Sequence, residues 1–88
     1  MKTVFRESFA RDLKGVREKK LLNRVSEAIE TIENADSLSV LLNLKKLKGE
    51  KNYFRLKVGN YRIGIVVESD TVVFVRFLAR KDIYRYFP

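Results

Sequence analysis

A predicted β-hairpin in the second half of the chain constrains the fold more than any other segment. Apolar and basic residues alternate from Tyr53 to Val58, and a second alternating run starts at Tyr61, directly after Gly59-Asn60. Alternation with a period of two is typical of strands that bury one face, and a pair such as Gly-Asn is a frequent two-residue hairpin loop. This loop predicts three cross-strand pairs: Val58 with Tyr61, Lys57 with Arg62, and Leu56 with Ile63.

The predicted pairing collects Arg55, Lys57 and Arg62 on the face of the hairpin that lies opposite the apolar residues. Like charges placed directly opposite one another cost stability, so we expect a sheet that keeps this cluster to bind an anion. Three interpretations remain open from these residues alone: a nuclease, a module that binds nucleic acid or protein, and the solvated face of a one-sided antiparallel sheet.

The positive charge of the chain is concentrated in the same half. Residues 1–44 hold 8 Lys/Arg and 7 Asp/Glu, whereas residues 45–88 hold 11 Lys/Arg and 4 Asp/Glu, within a total net charge of +8. A basic half on a small domain is typical of a protein that binds a polyanion. We do not expect a membrane surface as partner, because the basic residues alternate along strands instead of lining an amphipathic helix.

The composition excludes several kinds of site. The 88 residues, which fit one domain (1–88), contain no Cys and no His. Disulfides, thiolate zinc sites and a histidine base are therefore excluded, and we expect neither a metal nor a cofactor. No apolar run is long enough for a membrane span, and the first residues lack the apolar core of a signal peptide. We expect a cytoplasmic protein.

The remaining periodicity predicts an α+β fold, a two-layer sandwich in the order β-α-α-β-β-β with a short C-terminal tail. An N-terminal strand (2–7) and a helical pair pack on a mainly antiparallel four-stranded sheet. Ser8 is the predicted N-cap of the short first helix, and the spacing of apolar residues predicts a second helix from about Glu18 to Asn34. The segment 38–47 is ambiguous, with a turn of helix and a loop as one interpretation. The later strands are expected at 53–58, 61–67 and 72–79.

The register of the last two strands depends on the loop between them. We predict a three-residue loop, Ser69-Asp70-Thr71, because a two-residue loop would turn Arg76 toward the core, where an unpaired arginine is costly. The three-residue loop puts Arg76 on the basic face, and Arg80 reaches the end of the strand on the side of Arg62. It also predicts four core residues: Val73, Val75, Phe77 and Ala79.

The basic face offers groups suited to cutting RNA through its own 2′-hydroxyl. Fixed cations stabilise the negative charge that develops at phosphorus, and an arginine suits this role because of its bidentate fork. A lysine acts as a base only where its protonated form is disfavoured, as it is beside other cations. Lys57 lies in such a place, and a tyrosine can act as a base by the same logic or stack on a nucleobase.

Three segments together resemble the RelE/ParE superfamily of small toxins from bacterial toxin–antitoxin pairs. They are the basic connector 45–49, the hairpin 53–62, and the ending Leu78-Ala79-Arg80-Lys81-Asp82-Ile83-Tyr84. The resemblance runs nearly from end to end and includes the amphipathic helical pair after the first strand. The joint presence of Arg62, Arg80 and Tyr84 favours the RelE branch, whose members are ribosome-dependent endoribonucleases (mRNA interferases).

The resemblance implies a catalytic set. Arg55 and Lys57 match the two basic positions before the hairpin turn, and Arg62 matches the arginine that contacts the scissile phosphate. Arg80 matches an arginine credited with protonating the leaving oxygen, and Tyr84 matches a tyrosine that stacks on or orients the substrate. Well-studied relatives carry a lysine, credited with the base role, at the position of Arg55. Because an arginine stays protonated, that role falls here to Lys57 or Tyr84.

The resemblance also implies partners. The chain would be a toxin that cleaves messenger RNA in the ribosomal A site, is held inactive by a cognate antitoxin, and meets operator DNA only through that antitoxin. Further basic residues are expected to contact RNA or the ribosome: Lys45, Lys46, Lys48, Lys51, Arg76, Lys81 and Arg85. Two alternatives are a ParE-like inhibitor of DNA gyrase without enzymatic activity, and an inactive RelE-fold protein that acts only through antitoxin and operator DNA.

Overall fold

The computed structural model describes residues 1–41, 44–47, 49 and 52–88. Within these ranges, three α-helices and five strands follow one another, with a short 3-10 turn between the second helix and the second strand. In chain order they are β1 (Lys2–Phe5), α1 (Glu7–Lys14), α2 (Lys19–Asn34), the 3-10 turn (Leu38–Val40), β2 (Leu44–Lys46), β3 (Tyr53–Val58), β4 (Tyr61–Glu68), β5 (Thr71–Ala79) and α3 (Arg80–Tyr86).

One mixed sheet organises the described part of the chain, with the strand order β1-β5-β4-β3-β2. β1 runs parallel to β5, and the other neighbours are antiparallel. The α+β class is confirmed, but the prediction of four strands is wrong because β2 forms a fifth. Leu44 pairs with Leu56 and Lys45 with Arg55, so β2 satisfies the outer edge of β3. Three residues are too few to show strand periodicity in the sequence.

The apolar face of the sheet packs against α1 and α2 in the main core. Phe9 of α1 and Ile32 of α2 are almost completely buried against Ile63, Ile65 and Phe74 of the sheet. The cross-strand pairs predicted for the β3–β4 hairpin are confirmed, including Lys57 opposite Arg62 and Leu56 opposite Ile63. The hairpin therefore buries its apolar side chains on this face and leaves its basic side chains on the other.

The C-terminal helix α3 covers part of that other face. Ile83 is fully buried, and Phe87, directly after the helix, is 4% exposed; both pack against Val66 and Val73 of the sheet. The ring of Phe87 lies directly over Gly64, where a Cβ atom would approach three ring atoms at 2.7–2.8 Å. The predicted tail is thus a helix whose two apolar anchors fix it to β4 and β5.

Helix α1 protects the edge of β5 beyond the end of β1. The side chain of Ser8 donates a hydrogen bond to the carbonyl of Val75, and the Asp12 carboxylate accepts one from the Phe77 amide at 2.9 Å. Ser8 is therefore not the N-cap that we predicted; Arg6 holds that position and makes no side-chain capping bond. A strand edge covered in this way is closed to pairing with another strand.

The loop between β4 and β5 differs from the prediction. Glu68 pairs with Thr71, so the loop has two residues and not three. The register shifts between Gly64 and Ile65, so Val75 is an extra residue on β5 without a partner on β4. This bulge turns the following residues to the other face, and Arg76 therefore lies on the basic face, opposite Gly64. Phe77 is in the main core as predicted. Of the other predicted core residues, Val73 and Val75 lie in the cluster under α3 and Ala79 is half-buried, while Val72 and Phe74 fill the main core.

None of the helices in the described ranges is long and apolar enough to cross a membrane. The longest, α2, has 16 residues and carries charged side chains on its exposed face.

Candidate active site

A cleft of about 330 Å³ lies on the basic face of the sheet, between β2, β3, β4 and the start of α3. The five residues of the predicted catalytic set all line it: Arg55, Lys57, Arg62, Arg80 and Tyr84. Leu44 and Lys45 of β2 also line it. The described lining holds five cationic side chains and one phenol but no carboxylate, so the cleft is suited to bind an anion.

Arg62 is oriented by the hairpin turn that precedes it. Its Nη1 donates hydrogen bonds to the carbonyls of Gly59 and Tyr61, at 3.0 and 2.9 Å. Gly59 has a φ of 58°, a left-handed conformation that suits the first position of a two-residue hairpin loop. Within the described residues, the Nε and Nη2 donors of Arg62 have no protein partner, so three N–H groups are available to an anion in the cleft.

Arg80 is the first residue of α3, and its backbone connects the helix to the same turn. The Arg80 amide donates a hydrogen bond to the Asn60 carbonyl at 2.8 Å, and Ala79 pairs with Tyr61 across the two strands. The hairpin turn and the start of α3 are therefore directly connected. This connection brings Arg62 and Arg80, which are 18 positions apart in the sequence, to the same cleft.

Arg55 and Tyr84 form a stacked pair at the side of the cleft. The Arg55 guanidinium carbon lies 4.3 Å from the centre of the Tyr84 ring, within the range of a cation–π interaction. Tyr84 is 61% exposed. Among the described residues, the buried Nε of Arg55 lacks a hydrogen-bond partner, which leaves this donor unsatisfied in the absence of substrate.

The two arginines next to Tyr84 change its acidity. Side-chain hydrogen bonding from Arg55 and then the positive charge of Arg55 lower the pKa of the Tyr84 phenol, and Arg80 lowers it further in the same two ways. Desolvation raises the pKa of the phenol, but by less than Arg55 lowers it. Because the Arg55 guanidinium lies over the ring face, its charge is the influence that this geometry supports best.

The basic residues predicted to contact RNA or the ribosome are distributed over several places. Lys45 lines the cleft, and Lys46 is exposed beside it on β2. Lys81 lines a hollow next to the cleft, and Arg85 is exposed on α3. Lys48 and Lys51 lie outside the described residues.

Arg76 lies outside the cleft lining and has a partner within the protein. Its Nε and Nη2 donate hydrogen bonds to the two carboxylate oxygens of Asp12, at 2.8 and 3.2 Å. The guanidinium carbon is also 5.9 Å from the centre of the Tyr86 ring. Arg76 therefore joins α1, β5 and α3, a structural role that the sequence did not indicate.

Sequence reasoning missed two features that position the site. The contact between Phe87 and Gly64 anchors α3, and the only sequence signals for it are a glycine inside a strand and an aromatic residue near the end of the chain. Leu44 also lines the cleft, because β2 pairs with β3. Among the described residues, no group of three or more acidic side chains is arranged to hold a metal ion.

Comparison with known proteins agrees with the fold. Residues 4–84 match the family model of the ParE toxin of the type II toxin–antitoxin system parDE. Toxin RelE3 of Methanocaldococcus jannaschii is 49% identical to this chain over the whole of both sequences. The crystal structure of the RelB-RelE antitoxin-toxin complex from Methanococcus jannaschii contains a chain with 47% identity and a TM-score of 0.82, which covers 97% of this chain and 99% of that one.

A structure with lower sequence identity has a similar fold. The archaeal RelE-RelB complex from Pyrococcus horikoshii OT3 is matched with a TM-score of 0.73 at 17% identity, over 90% of this chain and 93% of that one. At this level of identity the likeness concerns the fold alone. The family match and the close RelE relatives confirm the resemblance on which the sequence analysis relied: this chain belongs to the RelE/ParE superfamily and is a type II toxin–antitoxin toxin of the RelE family.

Proposed function

We propose that this toxin is an endoribonuclease that cuts messenger RNA in the ribosomal A site. The observation that supports this most strongly is the shared cleft of Arg55, Lys57, Arg62, Arg80 and Tyr84, whose described lining contains no carboxylate. A phosphodiester with its scissile phosphate in this cleft meets cations on several sides, and preorganised charges of this kind supply the largest share of many rate enhancements.

In this proposal the 2′-oxygen before the cut attacks phosphorus. The new bond to the 2′-oxygen forms while the bond to the 5′-oxygen breaks, which leaves a cyclic phosphate and a 5′-hydroxyl. Arg62 binds the non-bridging oxygens through its Nε and Nη2 donors, which have no partner among the described residues, in a bidentate geometry that phosphate favours. Arg80 lies beside the leaving 5′-oxygen and stabilises its negative charge, and a proton from solvent water completes the 5′-hydroxyl.

Tyr84 is our preferred base for the proton of the 2′-hydroxyl. Arg55 and Arg80 lower the pKa of its phenol, so the phenolate is populated at lower pH than for an ordinary tyrosine. Arg55 cannot take this proton, because a guanidinium stays protonated. It holds Tyr84 by stacking, and an RNA phosphate would give an acceptor to the Arg55 Nε, which has no partner among the described residues. Lys57, directly across from Arg62, is the second candidate for the base.

A cognate antitoxin is the proposed regulatory partner. The relatives from Methanococcus jannaschii and Pyrococcus horikoshii were both crystallised as complexes of RelE with RelB. An antitoxin segment that folds on binding would inhibit this toxin by covering Arg62 or by displacing α3, which carries Tyr84. The toxin would contact operator DNA only through that antitoxin. On the ribosome, Lys45 and the other basic residues of this half would contact rRNA phosphates, so binding should weaken as salt rises.

The proposal is tested by inducing the toxin in cells and mapping the 5′ ends of translated messages. Cuts that follow the reading frame are expected for the wild type. Arg62→Ala and Arg80→Ala should each lose toxicity while the purified protein keeps its fold, as judged by a cooperative thermal melt. Arg17→Ala, on the exposed connection between α1 and α2, is the matched control and should remain toxic. Full toxicity of both cleft variants would show that the proposed site is wrong.

One observation supports a second candidate function, since the family model that matches residues 4–84 is that of the ParE toxin. A toxin of that kind would inhibit DNA gyrase by protein contact and would not cut RNA. The same induction experiment separates the two candidates. Intact transcripts together with DNA damage would support gyrase inhibition, and no effect on growth would support a protein that acts only with its antitoxin on operator DNA.

A further inference from the structure

A second hollow, of about 360 Å³, lies next to the cleft on the far side of Arg80. Its lining consists of Asn60, Ala79, Arg80, Lys81 and Tyr84. Arg80 and Tyr84 line both concavities and, as residues i and i+4 of α3, they project from the same side of the helix. They therefore form a common wall between two adjacent sites.

The second hollow is formed in advance of any ligand. The Asn60 carbonyl accepts the hydrogen bond of the Arg80 amide, which fixes the hairpin turn against the start of α3. The anchors Ile83 and Phe87 hold the rest of the helix on the sheet. The Asn60 side chain takes no part in this contact. It is exposed, and within the described residues its amide makes no hydrogen bond to the protein.

The chemistry of this hollow suits a nucleobase more than a phosphate. Ala79 and Tyr84 contribute apolar and aromatic surface to the lining, which single-stranded RNA bases use for stacking. The Asn60 amide offers one donor group and one acceptor side by side, the pattern that pairs with adenine through its N6 and N7 atoms. Arg80 and Lys81 add positive charge to the lining, which would attract the RNA backbone.

We propose that this hollow is a binding site for the nucleobase directly 3′ of the cut and that Asn60 makes the toxin favour adenine there. The inference rests on the proposed function, because it takes the scissile phosphate to lie between Arg62 and Arg80. With the leaving 5′-oxygen beside Arg80, the nucleotide that carries this oxygen continues past Arg80 into the hollow. The residue that sets sequence preference would thus be a turn residue outside the catalytic set.

The test uses purified toxin and ribosomes programmed with four messages that differ only in the nucleotide 3′ of the cut. The wild type is expected to cleave the adenine message with a kcat/KM about 5- to 140-fold above the others, the range for one bidentate amide–base contact. Asn60→Asp keeps the turn and the carbonyl but replaces the donor by a second acceptor. It should lose the adenine preference and gain rate on the cytosine message, whose N4 is a donor.

Two further variants complete the design. Asn60→Gly is also compatible with the turn, removes the amide, and should make the four rates nearly equal. Asn52→Asp makes the same chemical change at an exposed position before β3 and should keep the adenine preference. Equal wild-type rates on all four messages, or an adenine preference that survives in both Asn60 variants, would overturn this inference while the proposed nuclease stands. Failure of the wild type to cut any of the four messages would instead refute the proposed function, and this inference with it.

Discussion

The contact between Gly64 and Phe87 gives a prediction about how α3 is held over the cleft. In Gly64→Ala, the new Cβ atom would lie 2.7–2.8 Å from three atoms of the Phe87 ring, so the ring has to move. Gly64 does not have a positive φ, so the alanine itself strains no backbone. Overpacking of this kind costs about 1–3 kcal/mol, and complete expulsion of the ring would lose a burial term of about 1.5–3 kcal/mol.

The assay is urea unfolding of the purified toxin. We expect Gly64→Ala to lower the free energy of unfolding by about 1–3 kcal/mol, and each 1 kcal/mol lowers the Tm of a domain of this size by about 4–8 °C. Gly15→Ala is the matched control, because the atom closest to its new Cβ is the Asp12 carbonyl oxygen at 3.6 Å. That variant should stay within about 0.5 kcal/mol of the wild type.

A double-mutant cycle identifies the cause. Phe87→Ala removes the ring, so adding Gly64→Ala to that variant should cost nothing further and should give a coupling of at least about 1 kcal/mol. Gly64→Ala should also reduce cleavage, because α3 carries Arg80 and Tyr84. Equal costs of Gly64→Ala with and without the ring would refute the claim that Phe87 anchors α3 on this glycine.

Three further predictions concern other residues. Because Arg55 lowers the pKa of Tyr84 from 10.0, the single-turnover cleavage rate should rise with pH as the phenolate forms, and the midpoint of the rise should lie below pH 10.0. Tyr84→Phe should lose this rise, and a rise that persists would exclude Tyr84 as the base. Gly59→Ala places a methyl group on a residue with a φ of 58°, and this methyl group lies 2.9 Å from the Arg24 guanidinium. The variant should lower the free energy of unfolding in urea by about 1–2 kcal/mol, and an unchanged free energy would contradict the turn geometry. Asp12→Asn should cost about 1.5–3 kcal/mol by weakening the charged bonds to Arg76, and an unchanged unfolding midpoint would show that this pair adds no stability.

The hairpin and its basic face could be predicted from the sequence because both depend on local rules. Period-two alternation on either side of Gly59-Asn60 determines which residues pair, and the observed register follows from it. The position of Arg76 was predicted on the correct face for the wrong reason. The run Val72–Val75 is apolar throughout, so it contains no alternation from which the bulge at Val75 could be recognised.

Other parts of the site depend on contacts between distant segments. Asp12 and Arg76 are 64 positions apart, and no pattern in either segment indicates that they meet. The strand β2 exists because β3 offers it an edge, and its three residues carry no strand signal of their own. The gathering of the predicted catalytic residues into one cleft likewise requires α3 to pack on the sheet through Ile83 and Phe87, which the aromatic tail alone did not indicate.

The most direct test of the proposed activity is the single-turnover rate at which the purified toxin cuts messenger RNA in the A site of programmed ribosomes. The wild type is predicted to leave a cyclic phosphate and a 5′-hydroxyl, and Arg62→Ala to be about 10²–10³-fold slower, the usual loss when one donor to a developing negative charge is removed. No cutting by the wild type, or an equal rate for the Arg62 variant with an intact fold, would contradict the account.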